Sequence, residues 1–203
     1  RSLGKPLTQE PLIRYNISTI FLLLAAFMVQ QFVPALTGLS HARILFVHLI
    51  FLCSAVTVAT PTMLLLAFIG GILWDAHCSL APIIADPEVY TQQVESLRFG
   101  YSILLFGGMG FLMQGLNPLF RQGKWHFSAA LSGIAIFLYL AADYCLISFV
   151  RGDFVITRDI VRMAVYTSLL TMLFSPIIFW LLYLLAKVFD HSLYPEAGKN
   201  RRR

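Results

Sequence analysis

The chain has 203 residues, of which 58% are hydrophobic and only 12% are charged, and its formal net charge is +5. A soluble globular domain carries about 25% charged residues, so this composition excludes an ordinary soluble fold. The apolar residues recur along the whole sequence in continuous runs, without the residue-by-residue alternation of a membrane β-barrel. The sequence therefore predicts an all-α, polytopic integral membrane protein with a single helical domain.

A helix needs about 20 apolar residues to cross the apolar layer of a bilayer, which is about 30 Å thick. Six segments meet or approach that length, between an N-terminal segment over 1–16 and a basic tail over 189–203. The predicted spans are 17–36, 44–60, 62–78, 99–120, 127–150 and 163–188. Only Pro61 separates the second span from the third, and the 31 residues from Ile44 to Trp74 are short for two complete crossings. One of these two helices is therefore expected to be short, tilted or buried below the membrane surface.

Lysine and arginine are distributed unequally between the two sides of this six-span arrangement. Ten lie on the side that holds both termini and five on the opposite side. Because cytoplasmic segments carry the excess of positive charge, both termini are predicted in the cytoplasm. The tail that ends in Arg201 to Arg203 is expected to contact anionic lipid, and nucleic acid is not an expected partner. On the outer side lie an acidic loop over 81–98 and a loop over 151–162 that suits a short interfacial helix.

Two carboxylates interrupt the apolar segments: Asp75 near the end of the third and Asp143 late in the fifth. A carboxylate at membrane depth costs several kcal/mol unless it faces protein, water or a partner charge. Both acids fall in the outer half of the predicted topology, where pairing with Arg98, Arg151 or Arg162 would relieve that cost. A proton relay would need a chain of acids and histidines, and His48 is expected to lie alone in the inner half. Structural pairing is therefore the predicted role of both acids.

The sequence offers no catalytic or metal-binding pattern. Cys53, Cys78 and Cys145 lack any CxxC spacing, which argues against both a disulfide framework and a zinc site. Asp75, His77 and Cys78 are close in sequence, but a regular helix directs His77 away from the other two. No nucleophile elbow is present. The chain is therefore predicted to be non-enzymatic, with no cofactor and no bound metal.

Small residues in the apolar segments predict close helix packing. Two small-xxx-small pairs occur, in the third and fifth segments: Ala67 with Gly71, and Ala129 with Gly133. Such pairs let two helix backbones approach closely. The fourth segment is richer still, and its glycines are Gly107, Gly108, Gly110 and Gly115. Most of these glycines are expected to allow close packing between helices of this protein. Any that do not would mark a contact surface for another membrane protein or the wall of a cavity. Gln114 and Asn117 in the same segment require hydrogen-bond partners at membrane depth.

The run Gly-Ile-Leu-Trp-Asp at 71–75 closes the glycine-rich third segment. It resembles a motif of the MreD family of rod-shape-determining membrane proteins, in which a glycine-rich third helix closes in Gly-(Leu/Ile)-x-x-Asp. In that family a small-residue turn and a further glycine-bearing helix follow. Here the turn lies at 79–82, and the next segment carries glycines from Gly107 to Gly115. The resemblance extends loosely over most of the chain, and the acidic loop over 81–98 departs from the family's short turn.

This resemblance implies a non-enzymatic scaffold of the bacterial cell-elongation machinery in the inner membrane. It implies binding to an MreC-like single-span protein, with MreB filaments, RodA and a class B penicillin-binding protein as further partners. Such a scaffold would help to maintain rod shape and direct peptidoglycan synthesis, with Asp75 and Arg98 fixing the outer ends of the third and fourth helices. The residues expected to form the structural or partner motif are Gly71, Asp75, Arg98, Gly107, Gly108 and Asp143.

The resemblance also provides an alternative function. The MreD family is thought to share a fold with the substrate-binding subunits of energy-coupling-factor vitamin transporters. A subunit of that kind needs an outward cavity lined by polar and aromatic groups. The residues expected to line it are Trp74, Asp75, Tyr101 and Asp143.

Overall fold

The computed structural model describes residues 9–34, 36–39, 42–79, 100–117, 125–152, 154 and 156–189. Within these residues the protein is all-helical, with six α-helices and one short 3-10 helix at Thr37–Leu39. The α-helices are α1 (Gln9–Gln31), α2 (Phe46–Thr57), α3 (Thr60–Ser79), α4 (Tyr101–Gly115), α5 (Trp125–Arg151) and α6 (Arg158–Val188). The all-α prediction is confirmed for this part of the chain. The predictions for Arg98, for the acidic loop and for the tail beyond residue 189 lie outside the described residues.

Three helices are long and apolar enough to cross a membrane. They comprise Ile13–Gln31 in α1, Ser128–Val150 in α5 and all of α6. Helices α2 and α4 are apolar but short, with 12 and 15 residues, or about 18 and 22 Å at 1.5 Å per residue. The composition and the three long helices together indicate a membrane protein.

Helix α2 forms the centre of the bundle and contacts every other α-helix. All ten residues from Val47 to Val56 are buried, which is the pattern of a helix that is apolar on every face. Around it, α3 packs most extensively on α4, and α5 on α6. Most of the large apolar side chains that remain exposed lie on the outer faces of the surrounding helices, where a membrane protein meets lipid.

Side chains of neighbouring helices bind the backbone where α2 begins. The Gln30 amide donates to the Ile44 carbonyl and accepts from the Phe46 N–H, both at 2.8 Å. Thr171 Oγ1 accepts from the Leu45 N–H at 3.2 Å. The first backbone N–H groups of a helix have no acceptor within that helix. Inside a membrane no water is available to accept from them instead. These contacts therefore allow a 12-residue helix to begin inside the bundle.

The other end of α2 is bound in the same way by α4. Asn117 Nδ2 donates to the Val56 carbonyl at 2.9 Å, and Gln114 Nε2 donates to the Val58 carbonyl at 3.3 Å. Both amides therefore have the hydrogen-bond partners that the sequence requires of them. Helix α2 is the short member of the closely spaced pair, with 12 residues against 20 in α3.

Candidate functional site

Asp75 joins the end of α3 to the start of α4. It lies one turn before the end of α3 and is only 4% exposed. Its Oδ2 atom accepts a hydrogen bond from the Gly100 N–H at 2.6 Å, and Gly100 immediately precedes α4. Gly100 has a φ of 104°, a left-handed conformation that favours glycine. A carboxylate at the start of a helix also interacts favourably with the helix dipole.

Gly71 lies one turn before Asp75 and contacts the same helix. A Cβ atom built on Gly71 would lie 2.6 Å from both the Cα and the N atom of Ile103, in the first turn of α4. No side chain fits there, so the two helix backbones touch at this point. We name Gly71, Asp75, Gly100 and Ile103 the α3–α4 joint. Gly71 and Asp75, the two ends of the Gly-x-x-x-Asp motif, therefore both hold α3 against the start of α4.

The glycines of α4 divide into two groups. A Cβ atom on Gly110 would meet Met63 and Phe51, so this glycine serves internal packing. A Cβ atom on Gly107, Gly108 or Gly115 would meet nothing within 4 Å. Internal packing therefore accounts for Gly110 but not for the two glycines that were predicted as part of the motif.

His48 lies in the first turn of α2 and is almost completely buried. Its ring centroid lies 4.4 Å from that of Trp74, 4.8 Å from that of Phe106 and 4.2 Å from that of Tyr139. The expectation that His48 lies alone in the inner half was wrong. Helix α2 begins where α1 ends, so its first turn lies at the same end of the bundle as Trp74 and Asp75. We call this end the Asp75 end.

Asp143 reaches the same end from α5. It follows Tyr139 by one helical turn, is partly exposed, and lies close enough to Asp75 for the two charges to interact. The structure therefore brings together the two predicted acids, which lie 68 positions apart in the sequence. We name His48, Trp74, Phe106, Tyr139, Asp75 and Asp143 the His48 cluster. Of the arginines expected to pair with the acids, Arg98 lies outside the described part of the chain, and Arg162 lies 4.0 Å from Asp159 on its own helix.

The remaining candidates do not join this cluster through any described contact. Tyr101 is partly exposed as the first residue of α4, Cys53 is buried, and Cys145 is exposed. No group of three or more metal-ligating side chains occurs among the described residues. Sequence reasoning missed Phe106 and Tyr139, because an aromatic residue in an apolar helix carries no signal of which neighbour it faces.

Comparisons with known proteins add no relative, since no family model, curated protein or solved structure matches the chain. The class that the fold and composition define is an all-helical protein with three membrane-length apolar helices. Its most distinctive geometry is the α3–α4 joint and, beside it, the His48 cluster.

Proposed function

We propose that the protein is a non-enzymatic membrane scaffold of the bacterial cell-elongation machinery, similar to the MreD family. In this proposal six helices cross the inner membrane and both termini lie in the cytoplasm. The scaffold binds an MreC-like single-span protein and helps to direct peptidoglycan synthesis, and so to maintain rod shape. MreB filaments, RodA and a class B penicillin-binding protein are the further partners that the proposal includes.

The α3–α4 joint is the observation that carries this proposal. Gly71 and Asp75, the two ends of the family-like motif, both contact α4: one through backbone atoms and the other through the Gly100 N–H. Their shared role is to hold two helices in a fixed arrangement, which is what a scaffold requires. In the proposed topology the joint lies at the outer side, next to the periplasmic part of a single-span partner.

Gly107 and Gly108 supply a second line of support. The family-like pattern includes glycines in this helix, and internal packing does not use these two. Glycine on a helix surface lets another transmembrane helix approach closely. The proposal therefore assigns them to contact with the partner's single span.

Affinity purification tests the proposal directly. A tagged copy of the protein is purified from membranes of its own host in mild detergent, and the proteins recovered with it are identified by mass spectrometry. We expect a single-span protein with a periplasmic domain, recovered in a fixed ratio. The proposal fails if no such protein is enriched over an untagged control.

Two matched variants separate partner contact from folding. Gly108→Leu places a large side chain on the open surface of α4, whereas Ala25→Leu places the same side chain on the exposed surface of α1. Neither variant should unfold below the wild-type temperature, since leucine is a good helix former. We expect Gly108→Leu alone to reduce recovery of the single-span partner.

A substrate-binding subunit of an energy-coupling-factor-type transporter is the second candidate, and the His48 cluster favours it. Polar groups converge there with aromatic rings, which is the character of many small-molecule sites. Purified protein that gains thermal stability with a water-soluble vitamin would support this candidate over the scaffold. Recovery of the single-span partner, without stabilisation by any vitamin, would exclude it.

A further inference from the structure

The buried imidazole of His48 lacks the partners that such a group requires. Among the described residues, neither of its ring nitrogens has a hydrogen-bond partner, although both are buried. A neutral imidazole carries one donor and one acceptor, and burying both without partners is destabilising. A buried polar group without a partner requires an explanation, and one explanation is an additional molecule that supplies the missing contacts.

Aromatic rings surround this imidazole on three helices. Trp74 comes from α3, Phe106 from α4 and Tyr139 from α5, with ring centroids 4.2 to 4.8 Å from that of His48. Trp74 is itself partly exposed. The faces of aromatic rings are electron-rich and attract cations, most strongly in the case of tryptophan. The surroundings of His48 therefore suit a positively charged ligand with an apolar body.

Two carboxylates lie at the same end of the bundle as these rings. Asp143 lies one helical turn beyond Tyr139, on the same face of α5, and is partly exposed, whereas Asp75 follows Trp74 on α3 and accepts the Gly100 N–H. Their charges interact with each other, and like charges in a medium of low dielectric constant repel strongly. A cation bound beside the partly exposed Asp143 would relieve this repulsion.

The chemical class of the ligand follows from these groups. An anion is disfavoured because both carboxylates repel it. A bare metal ion is disfavoured because the described residues contain no group of three or more metal-ligating side chains, and such sites need several convergent ligands. A small organic cation satisfies both the rings and the acids. If it carries an N–H group, it also donates to the acceptor nitrogen of His48.

We propose that the His48 cluster is a binding site for a small organic cation, an amine or quaternary ammonium group on an apolar body. The ligand enters from the Asp75 end, where Trp74 and Asp143 are partly exposed. This inference goes beyond the proposed function and does not depend on it, because its readout is ligand binding to the purified protein alone.

Thermal unfolding of the purified protein in detergent tests the site with two probes. Phenethylammonium chloride supplies N–H donors, and benzyltrimethylammonium chloride supplies a charge without them; sodium chloride at equal ionic strength is the reference. A ligand that binds only the folded state raises the unfolding temperature in a saturable manner. We expect saturation with phenethylammonium and a weaker effect with benzyltrimethylammonium. Shifts no larger than those with sodium chloride overturn the proposal.

Variants assign the binding to this cluster. Asp143→Asn removes one charge, and His48→Phe keeps a ring but removes both nitrogens. Each should weaken phenethylammonium binding at least tenfold, as read from the titration midpoint. Asp159→Asn is the control, because this carboxylate is exposed on α6. The Asp159→Asn protein should bind phenethylammonium as tightly as the wild type does. Wild-type affinity in both Asp143→Asn and His48→Phe overturns the site assignment. The two substitutions lie in different helices. If one variant fails to fold, the other still tests the site.

Discussion

The α3–α4 joint and the interface between α5 and α6 each bring two helices together at a glycine, but different atoms meet that glycine. At Gly71 the nearest atoms are the backbone Cα and N of Ile103, 2.6 Å from a built Cβ. At Gly133 they belong to the side chain of Met172, of which Sδ would lie at 2.8 Å. Methionine is flexible and can move aside, whereas the backbone of a packed helix cannot. One glycine is therefore required by the backbone, and the other by a side chain that can adapt.

The polar contacts of the two interfaces differ as well. Asp75 places a charged acceptor against a backbone N–H at the start of α4. Between α5 and α6 the contacts are neutral: Ser168 Oγ donates to the Gly133 carbonyl at 2.6 Å, and Ser175 Oγ donates to Ser132 Oγ at 3.0 Å. Hydrogen bonds to charged groups contribute more than neutral ones. Both differences indicate that a substitution at the α3–α4 joint lowers the stability of the protein more than one at the interface between α5 and α6.

The largest effect is expected for Gly71→Ala. The added methyl group would clash with the Ile103 backbone, so α3 and α4 must separate. Overpacking of this kind costs about 1–3 kcal/mol, and the upper end applies because backbone is displaced. Reversible unfolding in mixed detergent micelles measures the loss. A change below about 0.5 kcal/mol, typical of an ordinary surface position, would contradict the close approach.

Asp75→Asn should have the next largest effect. The asparagine oxygen still accepts from Gly100, but the bond no longer involves a charge, which lowers its contribution by about 1–1.5 kcal/mol. The same change removes the repulsion between Asp75 and Asp143, which offsets part of this loss. Asp159→Asn is the matched control, since that carboxylate is 79% exposed and lies 4.0 Å from Arg162. An exposed ion pair contributes little, and the interaction of Asp159 with the α6 dipole contributes about 0.3–1 kcal/mol, so the control should lose less stability than Asp75→Asn. Equal losses in the two variants would rule out the bond to Gly100 as a stabilising contact.

Gly133→Ala tests the other side of the comparison. Its Cβ would displace the Met172 side chain, which can adopt another rotamer, so we expect a loss of about 1 kcal/mol or less. The double variant Gly133→Ala with Met172→Ala should recover part of the packing and show a non-additive effect. A loss larger than that of Gly71→Ala would reverse the proposed order of the two interfaces.

Ser168→Ala should have the smallest effect. It removes the bond to the Gly133 carbonyl, and hydrogen bonds between membrane helices contribute about 0.6 kcal/mol on average. The Gly133 carbonyl loses one donor but lies inside α5, where it also accepts an intrahelical backbone N–H, so the loss is tolerated. Hydrogen exchange of the α5 backbone, compared with that of the wild type, would detect the local loosening that so small a change in unfolding free energy hides.

The helical class follows from composition, because long apolar runs have few other solutions in a membrane. The chain between Ile44 and Trp74 is too short for two full crossings, and α2 has only 12 residues. The need of Gln114 and Asn117 for partners was also evident from the sequence. Their acceptors, the carbonyls at the end of α2, were not, because backbone groups carry no sequence signal.

The site could be predicted only in part. Asp75 and Asp143 were singled out as charged residues in apolar helices, which can be recognised from the neighbouring residues in the sequence alone. The acceptor role of Asp75 toward Gly100 depends on where α4 begins, and helix boundaries are weakly encoded. His48 was misplaced although the second predicted span, 44–60, enters from the outer side, so that a residue near its start lies in the outer half. Which helices enclose it depends on tertiary packing, which a single sequence does not reveal.

The unfolding free energies of Gly71→Ala and Gly107→Ala, measured side by side, test the central claim that the motif holds α3 against α4. Both changes add one methyl group to a helix glycine, but only the Cβ at Gly71 meets the backbone of another helix. Alanine is a better helix former than glycine by about 1 kcal/mol, so Gly107→Ala should be neutral or slightly stabilising. We predict that Gly71→Ala is the less stable variant by at least about 2 kcal/mol. Equal stability of the two variants would contradict the account.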